Sequence, residues 1–196
     1  MNIDQYRIKF REQLTGMYEP EEVENLCFLT LGHVLQMNRV EVSLSRNVNI
    51  SPEKLEQLNA ITSRLSQSEP IQYIIGATEF YGMEFQVNPA TLIPRPETEE
   101  LVDWVVRDRS NGLKKSESLE NLKILDIGAG SGCIGISLAK NISNAHVDAI
   151  DISQDALTTA YQNAKMNEAD VTFYHQDILA VDRLEHNYDV IVSNPP

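Results

Sequence analysis

Residues 122–142, LKILDIGAGSGCIGISLAKNI, decide the fold. An apolar run from Leu122 to Ile127 breaks into a turn with glycine at 128, 130 and 132, and a second apolar segment follows. A buried strand that passes through glycines into a helix opens a βαβ unit. Downstream, HVDAIDIS (146–153) reads as a second strand. DALTTAYQNAKMN (155–167) reads as a helix with Ala156, Leu157, Ala160, Tyr161 and Ala164 on one face. VTFYHQD (171–177) and YDVIVSNPP (188–196) supply two more strands. This alternation predicts an α/β domain with a parallel sheet and helical crossovers.

Upstream, PRPETEELVDWVVRD (94–108) predicts a helix with Pro96 early, acids in its first turn, and Leu101, Trp104 and Val105 facing inward. RSNGLKKSESLEN (109–121) reads as a polar linker. Residues 70–96, with β-branched and aromatic residues broken by Gly76 and Gly82, read as a hairpin. Before them, Val23, Leu26, Cys27, Thr30, Leu31, Val34 and Leu35 step by three and four, as a helix requires. Ile3, Tyr6, Phe10 and Leu14 form a weaker stripe. Ser51 and Pro52 start a helix bearing Leu55, Leu58, Thr62 and Leu65. The expected organisation is a helical bundle over 1–68, a hairpin linker over 69–95, and an α/β domain over 96–196.

Composition excludes several classes. Residues 1–95 carry 12 acids against 8 bases and residues 96–196 carry 17 against 8, so neither part offers the basic footprint of a nucleic-acid binder. No direct nucleic-acid binding is expected. No apolar run approaches the ~20 residues that span a bilayer, and the N-terminus is too polar for a secretory signal. Cys27 and Cys133 make no disulfide framework, which points to a reducing cytoplasm. The four histidines and two cysteines lack metal-ligand spacing, so no metal is expected.

Ligands of open α/β sheets bind outside the carboxyl ends of the strands, and three stretches mark those ends here. The first is the turn Gly128–Gly132, whose glycines allow a sharp turn and close ligand approach. Gly130, Gly132 and Gly135 also satisfy G-x-G-x-x-G, so a dehydrogenase stands as one alternative and a ligand-free turn as another. The second is Asp151, nineteen residues after Gly132, where a carboxylate can accept from both ribose hydroxyls. Its alternative role is a helix N-cap, which Ser153 or Asp155 could fill instead. The third is Asp177, a candidate for an adenine amino group or, equally, a capping aspartate. Asn194-Pro195-Pro196 then narrows the chemistry. Two prolines fix the backbone around Asn194, leaving the Asn194 amide and the Pro195 carbonyl as adjacent acceptors for an –NH2 group. On the fourth strand of an adenosine-binding sheet, this clamp points to methyl transfer onto nitrogen.

EPIQYIIGATEFYG (69–82), LIPRPETEELV (92–102), ILDIGAGSGCIGISLA (124–139) and VSNPP (192–196) together resemble the PrmC/HemK family, protein-(glutamine N5) methyltransferases acting on peptide-chain release factors. The resemblance implies a Rossmann-like class I methyltransferase domain behind a helical domain that helps to recognise a class-1 release factor. It implies S-adenosylmethionine as methyl donor, leaving as S-adenosylhomocysteine. Asp126, Gly128, Ala129, Gly130, Ser131 and Gly132 would line its methionine and ribose part, Asp151 would hold the ribose, and Asp177–Ile178 would flank the adenine. Asn194, Pro195 and Pro196 would clamp the glutamine of a Gly-Gly-Gln motif, with Asn194 also close to the cofactor and the loop Arg95–Glu99, including Glu97, over the site.

A nucleic-acid adenine-N6 methyltransferase uses a similar clamp and is the alternative function; a non-catalytic binding module is a further one. The family's motif continues to an aromatic residue and its sheet holds seven strands, against four here. The chain is therefore expected to be a piece of a longer protein, C-terminally incomplete and stopping inside its own active site; whether it turns over alone stays open.

Overall fold

The computed structural model describes residues 1–112, 122–184 and 186–195, and the chain divides into two units, Met1–Ile75 and Gly76–Pro196. The polar stretch 113–121 and Pro196 lie outside the described residues.

The first unit is helical: α1 (Ile3–Leu14), α2 (Pro20–Leu35), α3 (Arg39–Leu44), α4 (Pro52–Leu65) and α5 (Ile71–Ile75). Local chemistry sets the starts. Asn2 and Gln5 form a reciprocal capping box on α1, and Ser51 caps α4 with Pro52 in its first turn. The stripes then meet in one core: Ile3, Tyr6, Phe10 and Leu14 of α1 against Leu26, Cys27 and Leu31 of α2 and Leu58 and Leu65 of α4. Each such burial contributes roughly 1.5–3 kcal/mol. The Tyr6 hydroxyl lies 3.1 Å from the Leu58 carbonyl and 2.7 Å from Thr62 Oγ1, so its polar end is satisfied inside that core. Two helices were not foreseen. Helix α3 is announced only by Asn38 and Glu41, which form a capping box. Helix α5 occupies residues assigned to the hairpin, because Pro70 provides the carbonyl that accepts from Tyr73 and Ile74 and starts a helical turn.

The second unit begins with a hairpin, β1 (Ala77–Phe80) and β2 (Met83–Gln86), antiparallel across a turn at Tyr81 and Gly82. Phe80 and Phe85 meet edge to face, 6.0 Å between ring centres. Helix α6 (Pro96–Gly112) follows, continuing four residues into the stretch expected to be linker. Then come β3 (Leu122–Ile127), α7 (Cys133–Asn141), β4 (Ala145–Asp151), α8 (Gln154–Met166), β5 (Val171–His175), a 3-10 turn (Ile178–Ala180) and β6 (Val190–Ser193). The sheet order is β5-β4-β3-β6, every pairing parallel. Ile124, Val147, Ala149, Phe173 and Val192 share a core with Ile134, Ile136 and Leu138 of α7 and Leu157 and Ala160 of α8.

Two inward-facing expectations are corrected. Trp104 is 70 % exposed, while Val102 is fully buried. Residues 98 and 102, four apart, define the inner face of α6, and Trp104 lies two residues, about 200°, from Val102. Tyr161 is 52 % exposed, although its ring still packs, tilted, against Phe173 with ring centres 4.8 Å apart. No helix among the described residues is long and apolar enough to cross a membrane.

Candidate active site

Strands β3, β4, β5 and β6 end side by side, and every described site residue expected from the sequence lies at or beside those ends. The turn after β3 has left-handed backbone at Gly128 (φ 78°), Gly130 (φ 56°) and Gly132 (φ 79°). Each glycine answers a different need. A side chain at Gly128 would meet nothing within 4 Å and one at Gly130 only a carbonyl at 4.0 Å, so this part of the loop is an open cradle. At Gly132 a Cβ would sit 2.9 Å from Ile136 Cδ1 and 3.2 Å from Ala160 Cβ, so its absence lets α7 approach α8. Gly135 similarly lets α7 close onto Asp126.

The loop is tied to its neighbours on all sides. Gly128 and Ala129 N–H both donate to the Ile150 carbonyl. Gly130 N–H donates to Asp151 Oδ2 at 2.8 Å, and Asp151 Oδ1 accepts from Ser153 N–H at 2.8 Å. Ser153, not Asp151, caps α8 by accepting from Ala156 N–H. Asp151 is thus held by two backbone amides with lone pairs to spare, since a carboxylate offers about four acceptor sites. Gln176 N–H donates to the Asp151 carbonyl, which brings Asp177 and Ile178 alongside. Asp177 itself caps the 3-10 turn through Leu179 N–H at 2.9 Å.

Beneath the loop, Asp126 is 1 % exposed. Its Oδ2 accepts from Gly135 N–H at 2.9 Å, and its Oδ1 has no hydrogen-bond partner among the described residues. Burial, with a smaller push from Asp151, raises its carboxyl to about 7 despite the Gly135 bond.

Strand β6 completes the site. Its Ser193 pairs with Ile127, the last residue of β3, and Ser193 Oγ donates to the Ile127 carbonyl at 2.8 Å. Asn194 and Gly128 therefore leave adjacent strands at the same level. Asn194 joins Arg95, Glu97, Thr98 and Leu101 in lining an open cleft of about 370 Å³. Pro195 is exposed beside it.

One contributor was missed in the sequence, and a second, within the Arg95–Glu99 stretch, was placed over the site without its partner. Buried Asn163 on α8 accepts from Gln86 N–H and donates to the carbonyls of Gln86 and Ser131, bridging the hairpin to the glycine loop. Thr98 accepts a 2.8 Å hydrogen bond from Asn194 Nδ2. The only signal for Asn163 was a polar residue on the inner side of an apolar helix stripe.

The cradle, the anchored Asp151 and the orphaned Asp126 oxygen fit a ligand carrying a nucleoside and further polar groups. Comparison with known proteins agrees. Residues 5–76 match the PrmC N-terminal domain model, and residues 111–196 match the methyltransferase small domain model. The chain is 47 % identical, over all of its 196 residues, to the release factor glutamine methyltransferase of Flavobacterium psychrophilum, covering 67 % of that protein. The chain belongs to this family. The enzyme of the same name from Bacteroides thetaiotaomicron is 44 % identical over 95 % of the chain, which covers 64 % of it. That of Lactococcus lactis is 45 % identical over 75 % of the chain, which covers 51 % of it. The chain thus spans between about half and two thirds of the length of these family members.

Proposed function

We propose that the protein transfers a methyl group from S-adenosylmethionine to the side-chain amide nitrogen of the glutamine in a Gly-Gly-Gln motif of class-1 peptide-chain release factors, in the cytoplasm. The observation that carries the reading is the placement of Asn194 at the end of β6, level with the glycine cradle at the end of β3. A nitrogen-bearing substrate held at Asn194 adjoins a cofactor held in the cradle.

Gly128–Gly132 and Asp151 are the residues that would hold the cofactor, with Asp177 and Ile178 beside its adenine. When bound, S-adenosylmethionine supplies an electrophilic methyl group and leaves as S-adenosylhomocysteine. An amide nitrogen is a poor nucleophile because its lone pair is delocalised into the carbonyl. Asn194 Oδ1 and the Pro195 carbonyl accept the two N–H groups and turn the lone pair toward the methyl carbon. The proton displaced from the amide nitrogen as it takes up the methyl group would depart to water. Orientation of this kind is worth up to about 7–11 kcal/mol. Arg95 and Glu97, which line the cleft with Asn194, would contact the flanking peptide. The helical unit would recognise the body of the release factor.

The test supplies labelled donor, a release factor and duplex DNA in one tube. Label on the Gly-Gly-Gln glutamine is expected. Label on DNA, or donor binding without transfer to either, overturns the reading; the net charge of −13 disfavours the DNA outcome.

A further inference from the structure

We propose that Thr98 is a positioning residue for methyl transfer, holding the Asn194 side-chain amide so that its oxygen faces the cleft. The inference rests on the function proposed above. A primary amide has a donor end and an acceptor end, and rotation about its side-chain torsion exchanges them. Only the acceptor end suits an incoming –NH2 group. Pro195 restrains the backbone of Asn194 but does not choose between these two orientations.

Thr98 makes the choice. Its Oγ1 accepts from Asn194 Nδ2 at 2.8 Å, joining residues 96 positions apart. With Nδ2 spent on α6, Oδ1 on the other side of the planar amide turns away from Thr98. The hydroxyl is a fixed point. Thr98 is 7 % exposed, and its backbone N–H is bonded to the Arg95 carbonyl at 2.9 Å. The same helix turn is anchored by Glu99, which accepts from Tyr81 N–H at 2.8 Å, and the next turn by fully buried Val102. Threonine is a mediocre helix former, so its presence in the first turn of α6 is best explained by its hydroxyl. The chain EFYG, RPETE, SNPP is then one mechanical series: the hairpin turn holds Glu99, the helix holds Thr98, and Thr98 holds Asn194.

Thr98→Val keeps size and burial and removes the acceptor; Thr98→Ser keeps the hydroxyl. Using the intact protein, a release factor and S-adenosylmethionine, Thr98→Val should lower kcat about 10- to 100-fold, with donor Kd changed less than about threefold. Thr98→Ser should restore most of the loss. In an Asn194→Ala background, Thr98→Val should cost nothing further, because the group it orients is gone. Independently of activity, the Asn194 side-chain hydrogen bonded to Thr98 should exchange with solvent more slowly than its geminal partner in the wild type and in Thr98→Ser, and that difference should vanish in Thr98→Val. A Thr98→Val enzyme of wild-type kcat overturns the inference. So does an equal further loss in the Asn194→Ala background, or unchanged NH2 exchange. A wild-type protein that methylates no glutamine sinks the proposed function instead, and the NH2 exchange still decides the positioning.

Discussion

Glu99 Oε1 accepts a 2.8 Å hydrogen bond from the backbone N–H of Tyr81, so the first turn of α6 is latched to the tip of the β1–β2 hairpin. Tyr81 sits at φ 50° and Gly82 at φ 71°, a turn with both central residues left-handed. Such a conformation costs a non-glycine residue roughly 1–2 kcal/mol. The carboxylate holding its amide offsets part of that cost. Glu99→Ala leaves this half-buried N–H unpaired and should destabilise the unit by about 1–3 kcal/mol. A fall in Tm of several degrees is expected by calorimetry, with a smaller fall for Glu99→Gln, which keeps an acceptor.

Asp126 predicts a pH dependence of stability. Its carboxyl is raised from 3.8 to about 7, chiefly by burial, with Asp151 adding to the rise and the Gly135 N–H opposing it. Between those values the folded protein retains a proton that the unfolded chain has lost. Its contribution is therefore fully present below about pH 4 and is lost as pH rises through about 7. Asp126→Asn cannot titrate. The Tm difference, wild type minus variant, should fall between about pH 4 and about pH 7; a difference constant across that range contradicts the assignment.

The glycines of the loop should separate into two classes. Gly132→Ala combines a left-handed backbone with contacts of 2.9 and 3.2 Å to Ile136 and Ala160, and should cost about 2–4 kcal/mol of stability. Gly130→Ala has open space around it and should cost only about 1 kcal/mol. Its Cβ projects into the cradle, so cofactor affinity should fall tenfold or more. Calorimetric titration and thermal melts on both variants check the split.

Much of this fold is legible in the sequence because periodicity and turn chemistry agree there. Every residue of the Ile3, Tyr6, Phe10, Leu14 stripe is buried, and the strand–glycine–helix signature of β3 and α7 holds within a residue. Trp104 went wrong because it shares an i, i+3, i+4 spacing with Leu101 and Val105, whereas the buried face of α6 is centred on Thr98 and Val102. Helix α3 was too short to show periodicity, and only its capping pair gave notice. The turn after β3 and Asn194 could be listed from their glycines and prolines, and Asp151 and Asp177 from their places at the ends of strands. Asn163 and the pairing of Thr98 with Asn194 could not, because a hydrogen bond between residues 96 or 32 positions apart leaves no local trace.

The most direct test of the account is fragment mass spectrometry of a release factor after incubation with S-adenosylmethionine and either the wild-type protein or Asn194→Ala. Wild type should place one methyl group on the side-chain nitrogen of the Gly-Gly-Gln glutamine. Asn194→Ala should slow that transfer at least about a hundredfold, roughly 3 kcal/mol of transition-state stabilisation, while binding the donor normally. Methylation elsewhere, or parallel losses in transfer and donor binding, would contradict the claim that Asn194 orients the nitrogen.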